Sequence, residues 1–157
     1  MYKKVLVSID GSPISYTALR SSLELFPDSM ITIFHVTQSA ATRGILLQSY
    51  VSIEKPIIEI PIVTDMEEDI YNEVSDIFRK AGEIIKKIRM ERKKDMRYHL
   101  IYKLVRGNAG KEIIKEAAID YDVIVIGRMS KSSIETLFGS VSSYVVKNAP
   151  CSVFVIK

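Results

Sequence analysis

One stretch of the chain collects the residue types that grip an anion. Gly127-Arg128-Met129-Ser130-Lys131-Ser132-Ser133-Ile134-Glu135-Thr136-Leu137-Phe138-Gly139-Ser140 sets glycines at both ends of a run of hydroxyls and cations. Glycine lets the backbone take positive φ and lets a ligand approach the amides closely. Gly139-Ser140 then opens a helix whose first amides point outward unpaired, the physical basis of an anion site. Ser140 and Ser142 offer hydroxyl donors, and Arg128 and Lys131 offer charge. N-capping alone would equally account for a serine at position 140. Within the loop, Ser132 and Glu135 have the spacing of a capping box, which predicts a short helical turn there.

The other chemistry-bearing residues are weaker candidates. Gly107-Asn108-Ala109-Gly110-Lys111-Glu112 has the look of a phosphate loop, but it is too short and carries Glu where a magnesium-binding hydroxyl belongs. It reads as a helix cap. His35 falls at a strand end near the cleft, either touching a ligand or serving as a core residue. His99 has no acidic or cysteine neighbour to share a metal. Cys151, between Pro150 and Ser152, has no His or Asp nearby in sequence and reads as an inert thiol.

The elements that must position these residues follow from periodicity. Lys4–Ile9 is a short apolar run ending in Asp10-Gly11-Ser12-Pro13, a buried strand followed by a helix with Ser12 as N-cap and Pro13 at its first position. Met30–Val36, Tyr98–Val105, Asp122–Ile126 and Ser152–Ile156 are further strands. They are apolar at nearly every position, as strands covered on both faces are. Ile70, Val74, Ile77, Phe78, Ala81, Ile84, Ile85 and Ile88 form one stripe of a long helix that opens on the capping box Thr64–Glu67. Shorter helices follow Asn108 and Gly139. Thr37 to Val63 shows no clear period and is too long for a plain connection, so an irregular insert, either a lid or partly disordered, is expected there.

This alternation predicts an α/β domain over residues 1–157: a doubly wound, Rossmann-like, five-stranded parallel sheet with helices on both faces. In such sheets ligands sit beyond the carboxyl ends of the strands, where the winding reverses. The chain has 157 residues, 47% hydrophobic and 26% charged, in the range of one globular domain. Its net charge of +3 is too mild to argue for nucleic acid. The basic cluster Lys86, Lys87, Arg89, Arg92, Lys93, Lys94 and Arg97 lacks interleaved aromatics and reads as the solvated end of a helix. No apolar run reaches the roughly 18 residues of a membrane span. Met1-Tyr2-Lys3-Lys4 leads straight into a strand rather than a signal sequence, and with a single cysteine a cytoplasmic address is expected.

Asp10-Gly11-Ser12, Asp122-Val123-Ile124-Val125-Ile126-Gly127, Phe138-Gly139-Ser140-Val141 and Asn148-Ala149-Pro150-Cys151-Ser152-Val153 resemble the universal stress protein family. The resemblance covers the chain except Thr37 to Val63. It implies a homodimer that binds ATP, or AMP, as a stress-response regulator, since part of that family binds ATP through a loop of the form Gly, two residues, Gly, nine residues, Gly-Ser or Gly-Thr. It places adenine near Ser8, Ile9, Asp10 and Val36. Ribose and phosphates fall on Gly127, Arg128, Ser130, Gly139, Ser140, Val141 and Ser142, with a divalent cation such as magnesium held by the phosphates. Asp10 then either reads the base or ribose or, as a turn residue, bonds its own backbone. Two departures stand out: Ser130 replaces the second glycine, and eight residues rather than nine precede Gly139. A side chain forced into left-handed geometry costs about 1–2 kcal/mol. A nucleotide-free dimeric adaptor and a slow ATPase are the alternative readings, the latter lacking an obvious general base.

The last strand carries its own signal. Val153-Phe154-Val155-Ile156 has no lysine, proline or turn to protect an edge position, and open strand edges invite pairing. Self-complementary pairing with a second copy through these residues is expected, as the family resemblance also implies.

Overall fold

The computed structural model describes residues 1–37, 44–51, 68–92, 99–128 and 139–157. Its elements run β1 (Lys4–Ser8), α1 (Pro13–Leu25), β2 (Met30–Thr37), β3 (Gly44–Val51), α2 (Glu68–Arg92), β4 (His99–Arg106), α3 (Ala109–Asp120), β5 (Val123–Gly127), α4 (Ser140–Asn148) and β6 (Ser152–Ile156). The strands form one sheet in the order β3-β4-β2-β1-β5-β6. β4, β2, β1, β5 and β6 are parallel neighbours, which is the expected five-stranded parallel sheet.

The sixth strand corrects the expectation for Thr37 to Val63. Thr37 closes β2, and Gly44–Val51 pairs antiparallel with β4, from Gly44 opposite Arg106 to Val51 opposite Leu100. The register shifts between Ile45 and Leu47, an irregularity of the kind that often marks sheet edges. An edge strand needs no continuous apolar run, and its partner follows some fifty residues later in the chain, so local pattern could not reveal it. Pairing across β4 sets this part of the insert at the sheet edge, with β4 and β2 between it and β1. The rest of the insert, the capping box at Thr64–Glu67 and the turn expected at Ser132–Glu135 lie outside the described residues.

Both faces of the sheet are covered. Val5, Leu6 and Val7 of β1 are each fully buried, as only a central two-sided strand allows. Alternation divides them. Val5, Val7 and Ile9 pack with Ala18, Leu19 and Leu23 of α1 and with Val74, Ile77, Phe78, Ala81, Ile85 and Ile88 of α2. Leu6, Phe34, Ile124 and Ile126 face Ile113 and Ala117 of α3 and Val145 of α4. Phe78 is buried with its ring edge-on to Tyr102 at a centroid distance of 5.1 Å.

Local polar chemistry sets the joints. Ser12 caps α1 by accepting from the Ser15 amide, with Pro13 at the first helical position as expected. Asp122 accepts from the Lys3 and Lys4 amides at 2.7 and 2.8 Å, tying the start of β1 to β5. Those two bonds hold its carboxyl below the ordinary 3.8. The basic end of α2 is exposed and engages α1, Arg92 with Glu24 and Arg20 with Glu91. Among the described residues no helix is long and apolar enough to cross a membrane.

The packing of α2 gives a first prediction. Phe78→Ala should destabilise the protein by about 3–5 kcal/mol in urea unfolding, the loss for emptying a buried aromatic site. Leu25→Ala, at a position 55% exposed, should stay within about 0.5 kcal/mol of wild type. Equal losses would mean that α2 is not docked through Phe78.

Candidate ligand cleft

From β1 the chain passes through α1 to β2 on one side; from β4 it crosses through α3 to β5 on the other. The helices that follow β1 and β5 therefore lie on opposite faces, and a cleft opens beyond the carboxyl ends of these adjacent strands. Its volume is about 320 Å³. Ser8, Ile9 and Asp10 from the end of β1, Val36 from β2, and Ile126 and Gly127 from β5 form its floor. Three helix starts close the sides: Ser12, Ile14 and Ser15 of α1, Ala109 of α3, and Val141 and Ser142 of α4.

Those helix starts differ in what occupies their free amides. α1 is capped by the Ser12 hydroxyl, and α3 by the Asn108 side chain, which accepts from the Lys111 amide at 3.1 Å. α4 begins after Gly139, a cap residue with no side-chain acceptor to offer. The Ser142 hydroxyl does not fill the gap, since it donates to the Gly139 carbonyl at 3.1 Å. The positive end of α4 is thus the best-placed anion acceptor on the cleft wall. Ser140, expected as a candidate cap, is instead the first helical residue, because Gly139 takes the extended cap geometry.

Two glycines make this geometry sterically accessible. Gly11 has φ +84°, so the β1–α1 turn uses the left-handed region that disfavours other residues. A Cβ on Gly127 would stand 3.0 Å from the backbone carbonyl of Ile14. Its absence lets the first turn of α1 rest against the end of β5.

Asp10 is the sole charged residue among the described residues lining the cleft. Its Oδ1 accepts from the Ser12 amide at 2.9 Å and from the Ser12 hydroxyl at 2.5 Å, so the turn-residue reading holds for that oxygen. Burial pushes the carboxyl up, but the bonds from Ser12 and Ser15 outweigh it and leave the group below its ordinary 3.8. At neutral pH this end of the cleft is anionic. It suits a donor, such as a base or sugar hydroxyl, and disfavours phosphate.

His35 does not line the cleft. It is 3% exposed, on the α2 face, with its ring edge-on to Phe78. Nδ1 lies 2.8 Å from the Ile9 carbonyl, which can only accept, so Nδ1 carries the proton and Nε2 is left an acceptor. That Nε2 is buried without a hydrogen-bond partner. Burial pushes the imidazole below its ordinary 6.5, against the opposing pull of the Ile9 carbonyl, Glu73 and Asp10.

Of the residues expected at the site, Ser8, Ile9, Asp10, Val36, Gly127, Val141 and Ser142 are brought together on the cleft wall. Arg128, Gly139 and Ser140 adjoin it in sequence without lining it; the Arg128 amide continues the β5–β6 ladder by donating to the Ile156 carbonyl at 2.7 Å. Ser130 lies outside the described residues. Sequence reasoning missed Ser12, Ile14, Ser15, Ala109 and Ile126. Ser12 and Asn108 read as helix caps in the sequence, and a cap next to a strand end is the signal that extends the list. Cys151 is half-buried, with its thiol pushed up by burial, as expected of an inert group. Among the described residues no group of three or more His, Cys, Asp or Glu could hold a metal ion.

Comparison with known proteins places this architecture. The model of the universal stress protein family matches residues 1–157, and the chain belongs to that family. It is 29% identical over 161 residues to the universal stress protein YxiE of Bacillus subtilis, with all of both chains covered. It is 26% identical to the universal stress protein MJ0531 of Methanocaldococcus jannaschii, covering 100% of this chain and 83% of the relative. Among solved structures, the universal stress protein from Archaeoglobus fulgidus in complex with dAMP superposes with a TM-score of 0.61 at 19% identity, covering 99% of this chain and 98% of the other.

His35 gives the second prediction. Its folded-state affinity for protons is depressed, so below about pH 6.5 the unfolded chain binds more protons and stability falls with acidification. Between pH 7.5 and 5.5 wild type should lose stability with a slope of at most about 1.4 kcal/mol per pH unit from this group. His35→Asn, which keeps a donor for Ile9, should flatten that slope. Identical slopes in chemical denaturation would show that His35 charges freely in the native state.

Proposed function

We propose that the cleft binds an adenine nucleotide, ATP first and AMP as the smaller alternative, and that the protein acts as a nucleotide-responsive regulator in the form of a homodimer. The observation that carries this reading is the mix of groups in one cleft: the apolar residues Ile9, Val36 and Ile126, the Asp10 carboxylate, and the α4 start, where Gly139 contributes no side-chain cap. A flat base fits the apolar floor, its donors and the ribose fit the Asp10 end, and phosphates fit the amides that open α4. The volume of about 320 Å³ sits at the lower end of small-molecule sites, which run from roughly 300 to 1,000 Å³. That accommodates the nucleoside and lets the phosphate chain emerge over Ser140 and Gly139, where Arg128 follows β5.

Solved relatives support a nucleotide ligand: besides the dAMP complex, members of the family have been captured with cAMP and with AMP. A magnesium ion would be held by the phosphates and would screen their charge. Turnover is not part of the reading. Among the described residues Asp10 is the one carboxylate lining the cleft, and one of its oxygens is already engaged by Ser12.

The homodimer is supported by the edge. Among the described residues β6 pairs only with β5; the Ile156 carbonyl is turned toward Arg128, so by alternation Val153 and Val155 present the open amides and carbonyls of the edge. Phe154 is 36% exposed and caps an edge-to-face trio with Tyr2 and Phe26, an apolar patch beside the open edge.

Calorimetry tests the site. Wild type should bind ATP with micromolar or weaker affinity, and Gly139→Asp, which sets a carboxylate at the α4 start, should weaken it at least about tenfold, or 1.4 kcal/mol. Undiminished binding by Gly139→Asp would move the phosphates elsewhere. Light scattering tests the assembly: wild type should run as a dimer and Val153→Lys and Val155→Lys as folded monomers. A monomeric wild type at micromolar concentration ends the dimer reading, and dimers in both variants place the interface off β6.

A further inference from the structure

The face of the sheet beneath α3 contains a buried ion pair. Lys103, midway along β4, and Glu116, two turns into α3, have side chains only 8% and 9% exposed. The Lys103 ammonium donates to both carboxylate oxygens, at 2.9 Å to Oε1 and 2.7 Å to Oε2. The Tyr121 hydroxyl, just past α3, lies 3.0 Å from Glu116 Oε1 and 2.9 Å from Thr32 Oγ1 of β2. With one phenolic hydrogen, Tyr121 donates to the carboxylate and accepts from Thr32. Two neighbouring strands are thereby tied to one carboxylate on one helix.

Such a cluster is a poor way to gain stability. Desolvating both charges offsets most of their attraction, and apolar residues of similar volume often do as well. What it provides is direction. Ile113 and Ala117, the apolar contacts of α3, tolerate sliding and small rotations. A carboxylate held from two sides by an ammonium and a phenol is satisfied at one height and one rotation of the helix. Glu116 lies seven residues after Ala109, two turns and about 10 Å along the same helix face, so a displacement at Glu116 is delivered to the cleft wall. The same end of α3 touches α4, where a Cβ on Gly110 would come within 2.8 Å of the Tyr144 ring.

We propose that Lys103 and Glu116, with Tyr121 and Thr32, are positioning residues for the cleft: they set the height and rotation of α3, and through it the spacing between Ala109 and the α4 start. The ligand half of this proposal rests on the reading of the cleft as a nucleotide site. The helix-positioning half does not, and the two fail separately.

The test is the double replacement Lys103→Met/Glu116→Leu, which removes both charges together and leaves no orphan. Thermal stability should stay close to wild type, while ATP affinity falls by about tenfold and amide exchange in the first turn of α3 (Ala109–Glu112) accelerates without a matching change in the core strands. Tyr121→Phe, which deletes one hydroxyl, should move both readouts in the same direction by less, and serves in place of the double variant if that variant does not fold. Unchanged affinity together with unchanged first-turn exchange in a folded variant overturns the proposal. Faster exchange only in step with global destabilisation also overturns it, since that is a merely structural role. If wild type binds neither ATP nor AMP, the nucleotide reading fails, and the exchange measurement still decides whether the pair positions α3.

Discussion

The reversal of winding between β1 and β5 is the constraint on which the site depends. These strands are parallel neighbours, so their carboxyl ends emerge side by side. The chain must nevertheless leave β1 toward α1 on one face and leave β5 toward α4 on the other. Chains that leave adjacent strands toward opposite faces open a crevice between the two exits, and the cleft lined by Asp10, Ser12, Ser15 and Ser142 lies there. The helices that return to the sheet begin at this gap, which aligns the positive ends of α1, α3 and α4 around it.

That constraint would produce only a crevice unless the backbones could approach closely. Gly127 allows α1 to sit against the end of β5, and Gly110 allows α3 to lie against Tyr144 of α4. Side chains at these points would push the helix starts apart and widen the site. The polar groups then sort by local chemistry. Serine and asparagine caps consume amides at α1 and α3, while Gly139 gives those at α4 no side-chain cap. Asp10, anchored by Ser12, brings a negative charge to the same cleft.

The two faces of the sheet are built on different principles. The α1–α2 face is a large apolar core anchored by α2, with Phe78 between His35 and Tyr102. Packing of this kind tolerates no voids, but its driving force is non-directional. The α3–α4 face has the smaller apolar core and a buried polar cluster, and it also carries the walls of the cleft that α3 and α4 provide. His35 is a polar residue buried on the α1–α2 face. Its bond to the Ile9 carbonyl joins β2 to the end of β1 beside the cleft, and leaves a nitrogen buried without a partner.

Much of this was determined by the sequence alone. Runs such as Val5-Leu6-Val7 and Val123–Ile126 are apolar at every position and can only be two-sided parallel strands. The stripe from Val74 to Ile88 can only be an amphipathic helix. Helix starts at Ser12 and Asn108 were legible because capping is a local bond between neighbours in sequence. Seven of the expected site residues line one cleft because topology dictates where strand ends meet. Tertiary structure decided the rest. The antiparallel β3, the pairing of Lys103 with Glu116, the burial of His35 behind the cleft rather than in it, and the entry of Ser15 and Ala109 into its wall all depend on which distant elements come into register. A charge in an otherwise apolar strand reads as exposed until its partner, thirteen residues on, is folded over it. Contacts of that kind are set by packing distance, and no periodicity in the chain records them.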